Sequence, residues 1–175
     1  PVQAGQGQNI VAIVHGAKPQ DPQDWDQAAV QHTLWASLGA VCSPLRERLE
    51  AVPSWRLWAL HDRLPLSSAA HMAQGRLALL GDAAHPMRPY LAQGAGMAIE
   101  DAHALAQCWT QDLPVTQRLA QYASLRWARN ARVQARSIRN GEIFHAQGPM
   151  ALGRNLSLQL LGSRLMDVPW LYRGA

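Results

Sequence analysis

The chain has 175 residues, 48% hydrophobic and 16% charged, with a formal net charge of +4. That length supports a domain with a real core, and the composition excludes a disordered chain. No apolar run approaches the ~20 residues of a membrane span, and "PVQAGQGQNI" lacks the basic and apolar regions of a secretory signal. With no initiator methionine, the amino terminus reads as that of a chain cut from something longer.

The charge excess sits in one segment. Residues 112 to 145 carry Arg118, Arg126, Arg129, Arg132, Arg136 and Arg139 against Asp112 and Glu142. Cys42 and Cys108 have no ligand spacing, so both are expected to be reduced, buried thiols of a cytoplasmic protein.

In chain order, "NIVAIVHG" (9–16) is a continuous apolar run ended by glycine and predicts a buried strand. "KPQDPQD" (18–24) is a polar loop. From Asp24 to Leu38 the pattern predicts a helix, with Trp25, Ala28, Ala29, His32 and Trp35 on one side. Pro44 to Glu50 predicts a short helix stopped near Pro53. "SWRLWALHDRLPL" (54–66) alternates loosely and predicts a strand ended by Pro65. A second strand, through Leu77-Ala78-Leu79-Leu80, stops at Gly81-Asp82. From Gly94 a helix is predicted, with Ala98, Ala102, Leu105, Ala106 and Trp109 on one face, broken at Asp112-Leu113-Pro114. A long amphipathic helix follows from 115 to about 140, with Trp127, Ala128, Ala131, Ala135 and Ile138 opposite the arginine stripe. A last helix spans roughly Met150 to Leu165, before the tail "DVPWLYRGA".

The chemistry concentrates in "RLALLGDAAHPMRPYLAQGAGMAIEDAHALAQ" (76–107). A strand ending in Gly-Asp, an irregular loop and a helix opened by small residues suit an anion or polar ligand. The first helical turn presents unpaired N–H groups and about half a positive charge. Gly94 and Gly96 let a ligand approach that backbone, and Asp82 offers an acceptor-only carboxylate for a hydroxyl. On these residues alone, a plain strand–loop–helix turn serves equally well. A dinucleotide fingerprint does not fit: Gly94-x-Gly96-x-x reaches Ile99 where a small residue belongs, and Gly5-x-Gly7 precedes a strand instead of a helix. Asp82-x-x-His85, with Asp101 and His103 nearby, matches no standard metal spacing, so no metal is expected. The arginine stripe lacks interleaved aromatics, so nucleic acid is not expected. Arginines facing a further half of the protein are the preferred reading.

The same stretch closely resembles the second flavin-contact motif of the FAD-dependent aromatic hydroxylases, single-component flavoprotein monooxygenases related to salicylate and hydroxybenzoate hydroxylases. The likeness rests on Gly75-Arg76, Leu80 to His85, Pro89, Gln93-Gly94 and Glu100-Asp101-Ala102. Weaker likeness runs through "LHDRLPL" upstream, and through "RVQARSIRNGEIFHAQGP" and "PWLY" downstream. The family's GxGxxG unit, which holds the ADP half of FAD, has no counterpart here.

The resemblance implies an α+β class, as the C-terminal portion of a hydroxybenzoate-hydroxylase-type FAD fold. That portion has a few strands of the substrate-domain sheet, one FAD-domain strand and several long helices. It divides the chain into 1–70 (partial substrate-binding domain), 71–112 (FAD-binding strand–loop–helix) and 113–175 (helical region). It implies FAD as cofactor, NAD(P)H as co-substrate and a small aromatic, phenolic or benzoate-like substrate hydroxylated through a flavin C4a-hydroperoxide. A quinone-pathway or natural-product substrate, or a non-catalytic remnant lacking the nucleotide-binding half, stays open. Asp82 is expected to contact the ribityl chain. Gly81, Gln93, Gly94, Ala95, Gly96 and Met97 complete the cofactor contacts. Pro89 is expected on the substrate side of the flavin, and His85 either lines the site or stands behind it. The implied partners are the substrate and the missing N-terminal FAD-binding half, with a homodimer left open.

Overall fold

The computed structural model describes residues 7, 9–15, 21, 23–25, 27–165 and 168–172. Gly5, Gly16, residues 18–20 and the tail beyond Tyr172 lie outside the described residues. The class is α+β, with short strands and long helices as expected. The chain packs as two units, Pro1–Leu60 and His61–Ala175.

In the first unit, β1 (Gln27–Ala29) pairs antiparallel with β2 (Trp55–Leu57), in the register Gln27↔Leu57, Ala28↔Arg56 and Ala29↔Trp55. Between them run α1 (Gln31–Leu38) and α2 (Ser43–Glu50). Pro44 stands in the first turn of α2, where its missing N–H is not needed. The helix expected from Asp24 therefore begins only at Gln31, because residues 27–29 have a strand partner that outweighs weak local helix preference. No ladder forms over 9–15, and Val11 is 57% exposed. A continuous apolar run becomes a strand only where a neighbouring edge accepts its backbone bonds, and no described strand pairs along it. The strand expected over 54–66 shrinks to 55–57 for the same reason. Cys42 is exposed and Cys108 buried, so the expectation of two buried thiols holds for one.

In the second unit, α3 (Ala69–Met72) leads into a small hairpin of β3 (Ala73–Gln74) and β4 (Leu77–Ala78), turned by Gly75 at φ +59°. A 3-10 turn (Gly81–Ala83) and a loop connect it to α4 (Gly94–Trp109). α5 (Val115–Phe144) starts after Pro114 and runs 30 residues, about 45 Å of helix. α6 (Gly148–Leu161), a 3-10 turn (Gly162–Leu165) and α7 (Pro169–Tyr172) follow.

The core lies where α4 and α5 pack together. Met72, Ala84, Ala104, Cys108, Tyr122 and Ala123 form one apolar cluster, beside Leu66 and Trp127. Burial raises the Cys108 thiol and the Tyr122 phenol above their ordinary values. The Tyr122 hydroxyl donates to the Leu79 carbonyl at 3.0 Å and fastens the hairpin exit to α5. Met97, Val133 and Leu171 form a second cluster under the first turn of α4.

The faces of both long helices differ from expectation. α4 buries Met97, Asp101, Ala104 and Cys108, while Ala102, Ala106 and Trp109 are exposed. With Leu80, Leu105 and Thr110 these three line an open apolar groove. α5 buries Arg126, Asn130, Gln134, Ser137 and Asn140, a polar stripe. Arg126 is 1% exposed, so this arginine of the expected outward stripe points into its own unit.

Candidate cofactor site at the α4 amino terminus

Gly81 opens the site. Its φ is +56°, which L side chains rarely adopt, and a Cβ there would lie 3.3 Å from the Ala98 side chain. Glycine thus lets the chain turn sharply while touching α4. The Gly81 carbonyl accepts the N–H groups of Ala84 and His85, both at 2.9 Å, closing the turn that carries Asp82.

Asp82 is exposed, and its Oδ1 stands 3.9 Å from where a Cβ on Gly94 would be. The carboxylate therefore lies beside the first residue of α4. No side chain caps that helix: Gln93 holds the N-cap position without a side-chain cap bond, and its carbonyl accepts the Met97 N–H at 2.9 Å. The N–H groups of Gly94, Ala95 and Gly96 precede that first intrahelical bond and are the orphan donors of the helix. Ala95 and Gly96 are exposed. The Gln93 Oε1 lies 3.5 Å from a Cβ built on Gly96, so the glutamine amide borders the same notch. Ala92, just before the helix, holds φ +51°. That left-handed conformation is uncommon outside glycine and concentrates at functional turns.

The loop between Asp82 and Gly94 is held from α5. Gln134 Nε2 donates to the Pro86 carbonyl and to that of Arg63, each at 2.8 Å. Ser137 Oγ donates to the Arg88 carbonyl at 2.6 Å and Asn140 Nδ2 to the Tyr90 carbonyl at 3.4 Å. Alternate carbonyls of the loop thus meet successive turns of one helix face. Arg63 Nη2 donates to the Ala83 and Ala84 carbonyls at 2.7 Å. The Tyr90 ring lies against Gly141, where a Cβ would come within 2.6 Å of it, and its hydroxyl bonds His145 Nε2 at 2.9 Å. Pro89 is exposed on this loop.

Two expected site residues turn away from the notch. Met97 is fully buried against Val133 and Leu171, and its N–H is taken by Gln93, so it supports the helix start from beneath instead of meeting a ligand. His85 is 1% exposed, with Nε2 2.7 Å from Asp101 Oδ2, and does not line the notch. Asp101, fully buried, also accepts Gly81 N–H (3.1 Å), Arg126 Nε–H (2.8 Å) and Asn130 Nδ2–H (3.0 Å). Burial pushes its carboxyl up, but these four donors outweigh it and bring the pKa down to about 2. Glu100 sits below the usual carboxylate range because Arg129 grips it at 2.7 and 2.8 Å, and the pairing raises Arg129 in return.

Sequence reading missed the polar stripe Arg126, Asn130, Gln134, Ser137 and Asn140. Its signal was present as polar residues spaced four, four, three and three apart, one continuous helix face. Three uncharged amides on that face are better suited to bonding neighbouring backbone than to a solvated surface.

The notch presents one carboxylate, three orphan N–H donors and a glutamine amide, over glycines that leave the approach clear. That set fits FAD. A carboxylate accepts polyol hydroxyls, and a helix N-terminus meets the carbonyl edge of a ring that gains negative charge on reduction.

Comparison with known proteins agrees. A family model described as an FAD binding domain matches residues 17–137. The 3-hydroxybenzoate 6-hydroxylase of Polaromonas naphthalenivorans (strain CJ2) is 34% identical over 178 residues, with 98% of this chain and 42% of that protein covered. A salicylate hydroxylase of Pseudomonas putida is 36% identical over 182 residues, covering 98% and 41%. A solved salicylate hydroxylase substrate complex superposes with a TM-score of 0.71 at 31% identity, covering 90% of this chain and 39% of the other. The chain spans about two fifths of the length of these relatives. Among the described residues no helix is long and apolar enough to cross a membrane. A glycine-opened helix end beside an exposed aspartate, on a chain matched over most of its length, leads to one assignment: the chain belongs to the FAD binding domain family.

Proposed function

We propose that this chain forms the α4 side of the FAD site in an NAD(P)H-dependent monooxygenase that hydroxylates a small aromatic substrate of phenolic or benzoate type. The observation that carries the reading is the Asp82 carboxylate beside Gly94, at a helix end that no side chain caps. Asp82 would hold the ribityl hydroxyls. The N–H groups of Gly94, Ala95 and Gly96 would meet the flavin ring, with Gly81 and Gln93 shaping the approach. Bound FAD supplies the electron transfer from NAD(P)H and the oxygen chemistry.

The protein's own contribution is orientation and charge. A helix N-terminus stabilises a negative ring by about 0.3 to 2 kcal/mol, which shifts a flavin equilibrium by between about twofold and about 30-fold. Pro89, on a loop whose path α5 holds, is assigned to the substrate side. The curated relatives described above are named for 3-hydroxybenzoate and salicylate, which supports a benzoate-like substrate.

By role, 1–70 would serve the substrate, 71–112 the flavin and 113–175 the support, a division that cuts across the packing of the second unit. The apolar groove of Leu80, Ala102, Leu105, Ala106 and Trp109 is suited to cover by the nucleotide-binding half that holds the ADP moiety. FAD titration of the protein at its native length tests the reading. It should purify yellow, and Asp82→Ala should weaken FAD binding by roughly 10- to 100-fold, the range for hydrogen bonds to a charged group. A colourless protein that takes up no added FAD would end the flavin reading.

A further inference from the structure

We infer that Asp101 is a positioning residue of the FAD site, fixing Asp82 at the α4 amino terminus without touching the cofactor. The inference rests on the FAD reading above.

The turn carrying Asp82 is gripped at both ends by one oxygen. Asp101 Oδ2 accepts the N–H of Gly81, just before Asp82, and Nε2–H of His85, three residues after it. The other oxygen, Oδ1, accepts Arg126 and Asn130 from α5. A carboxylate offers about four lone-pair sites, and here all four are taken. Asp101 itself lies on α4, seven residues after Gly94, or about 10 Å along the helix. One side chain thus ties the Asp82 turn, α5 and the helix that presents the orphan N–H groups.

The surroundings suit an anchor. Arg126 also donates to Glu100 and Asn130, and Arg129 closes on Glu100, so two carboxylates face two guanidiniums. A buried ion pair is weak evidence for stability, since well-packed apolar residues often do as well. What apolar residues cannot do is hold two N–H groups on either side of Asp82 at fixed distances. The network defines a position, and the exposed Asp82 carboxylate inherits it.

The test is a double-mutant cycle on FAD affinity in the protein at its native length. Asp101→Asn keeps shape and volume but removes the charge and one acceptor. It should weaken FAD binding about tenfold or more. Combined with Asp82→Ala it should add less than about twofold to the loss from Asp82→Ala alone, because Asp101 acts through Asp82. A role in stability alone would make the two losses multiply, and that result overturns the inference, as does wild-type affinity in Asp101→Asn.

Should Asp101→Asn not fold, His85→Phe releases only the far end of the turn and goes through the same cycle with the same criteria. Amide hydrogen exchange without FAD adds an independent readout: His85→Phe should lose protection at Ala84 and residue 85 while mid-α5 amides keep theirs. Uniform loss across both would instead mean general destabilisation and overturn the inference. Wild-type protein that binds no FAD fails the underlying reading separately, before any variant is compared.

Discussion

The two units differ in how much apolar side chain they bury. Among the described residues the first unit buries one large side chain, Leu49, while Val11, Trp25, Val30, Leu45, Trp58 and Leu60 stay exposed. The second buries Met72, Met97, Tyr122, Val133 and Leu171, together with Arg126, Asp101 and Gln134, and leaves others exposed, Leu77, Ile99, Leu152 and Leu160 among them. Apolar content does not explain the difference. α4 and α5 are two long helices that each bury a face against the other, and Met72 and Leu171 add to the clusters between and beneath them. An apolar strand needs another strand's edge, and 9–15 has none along it.

Three measurements bear on that contrast. The largest effect is expected for Met97→Ala: it removes a fully buried side chain from the cluster with Val133 and Leu171 and should destabilise by about 2 to 5 kcal/mol in urea unfolding. A loss below about 1 kcal/mol would mean the cluster under the helix start is not a true core.

Acid comes next. The folded pKa of Asp101 is depressed to about 2, so its contribution is fully present above the unfolded value near 4 and lost as pH falls toward 2. The amount is on the order of 2 kcal/mol. Thermal melts between pH 5 and pH 2 should show that slope in the wild type and a shallower one in Asp101→Asn; equal slopes would place the acid sensitivity elsewhere. The smallest effect is Trp25→Ser. With Trp25 68% exposed, stability should change by no more than about 0.5 kcal/mol. A larger loss would show that this face is covered in the native protein, and the contrast between the units would break.

Legibility followed the same divide. The helix from Gly94 to Trp109, the break at Pro114, the long helix after it and the short helix at Pro44 were all readable, because caps, prolines and a 3.6-residue period are local signals. Over 9–15 the strand, and from Asp24 the helix, were misread, because a strand depends on a partner edge that no local signal reveals. At the site, Asp82 stands beside Gly94, the first residue of the helix that continues through Ala95 and Gly96. Met97 faces the core and His85 stands behind the notch, the second of its two expected places, because a motif shows which residues recur together, not which way each points. The apolar face of α4 was misplaced because Asp101 draws the polar side of the helix inward. One buried carboxylate with four donors overrides the rule that charge stays outside.

The hold of Gln134, Ser137 and Asn140 on the carbonyls of Pro86, Arg88 and Tyr90 has a consequence for how this loop can vary. The grip falls on main-chain oxygens, which every amino acid supplies. This hold does not depend on which side chains the loop carries; Met87 and Arg88 add contacts of their own, to the cluster beneath α4 and to Asp62. A scaffold of this kind can change what it faces without relearning how to fold.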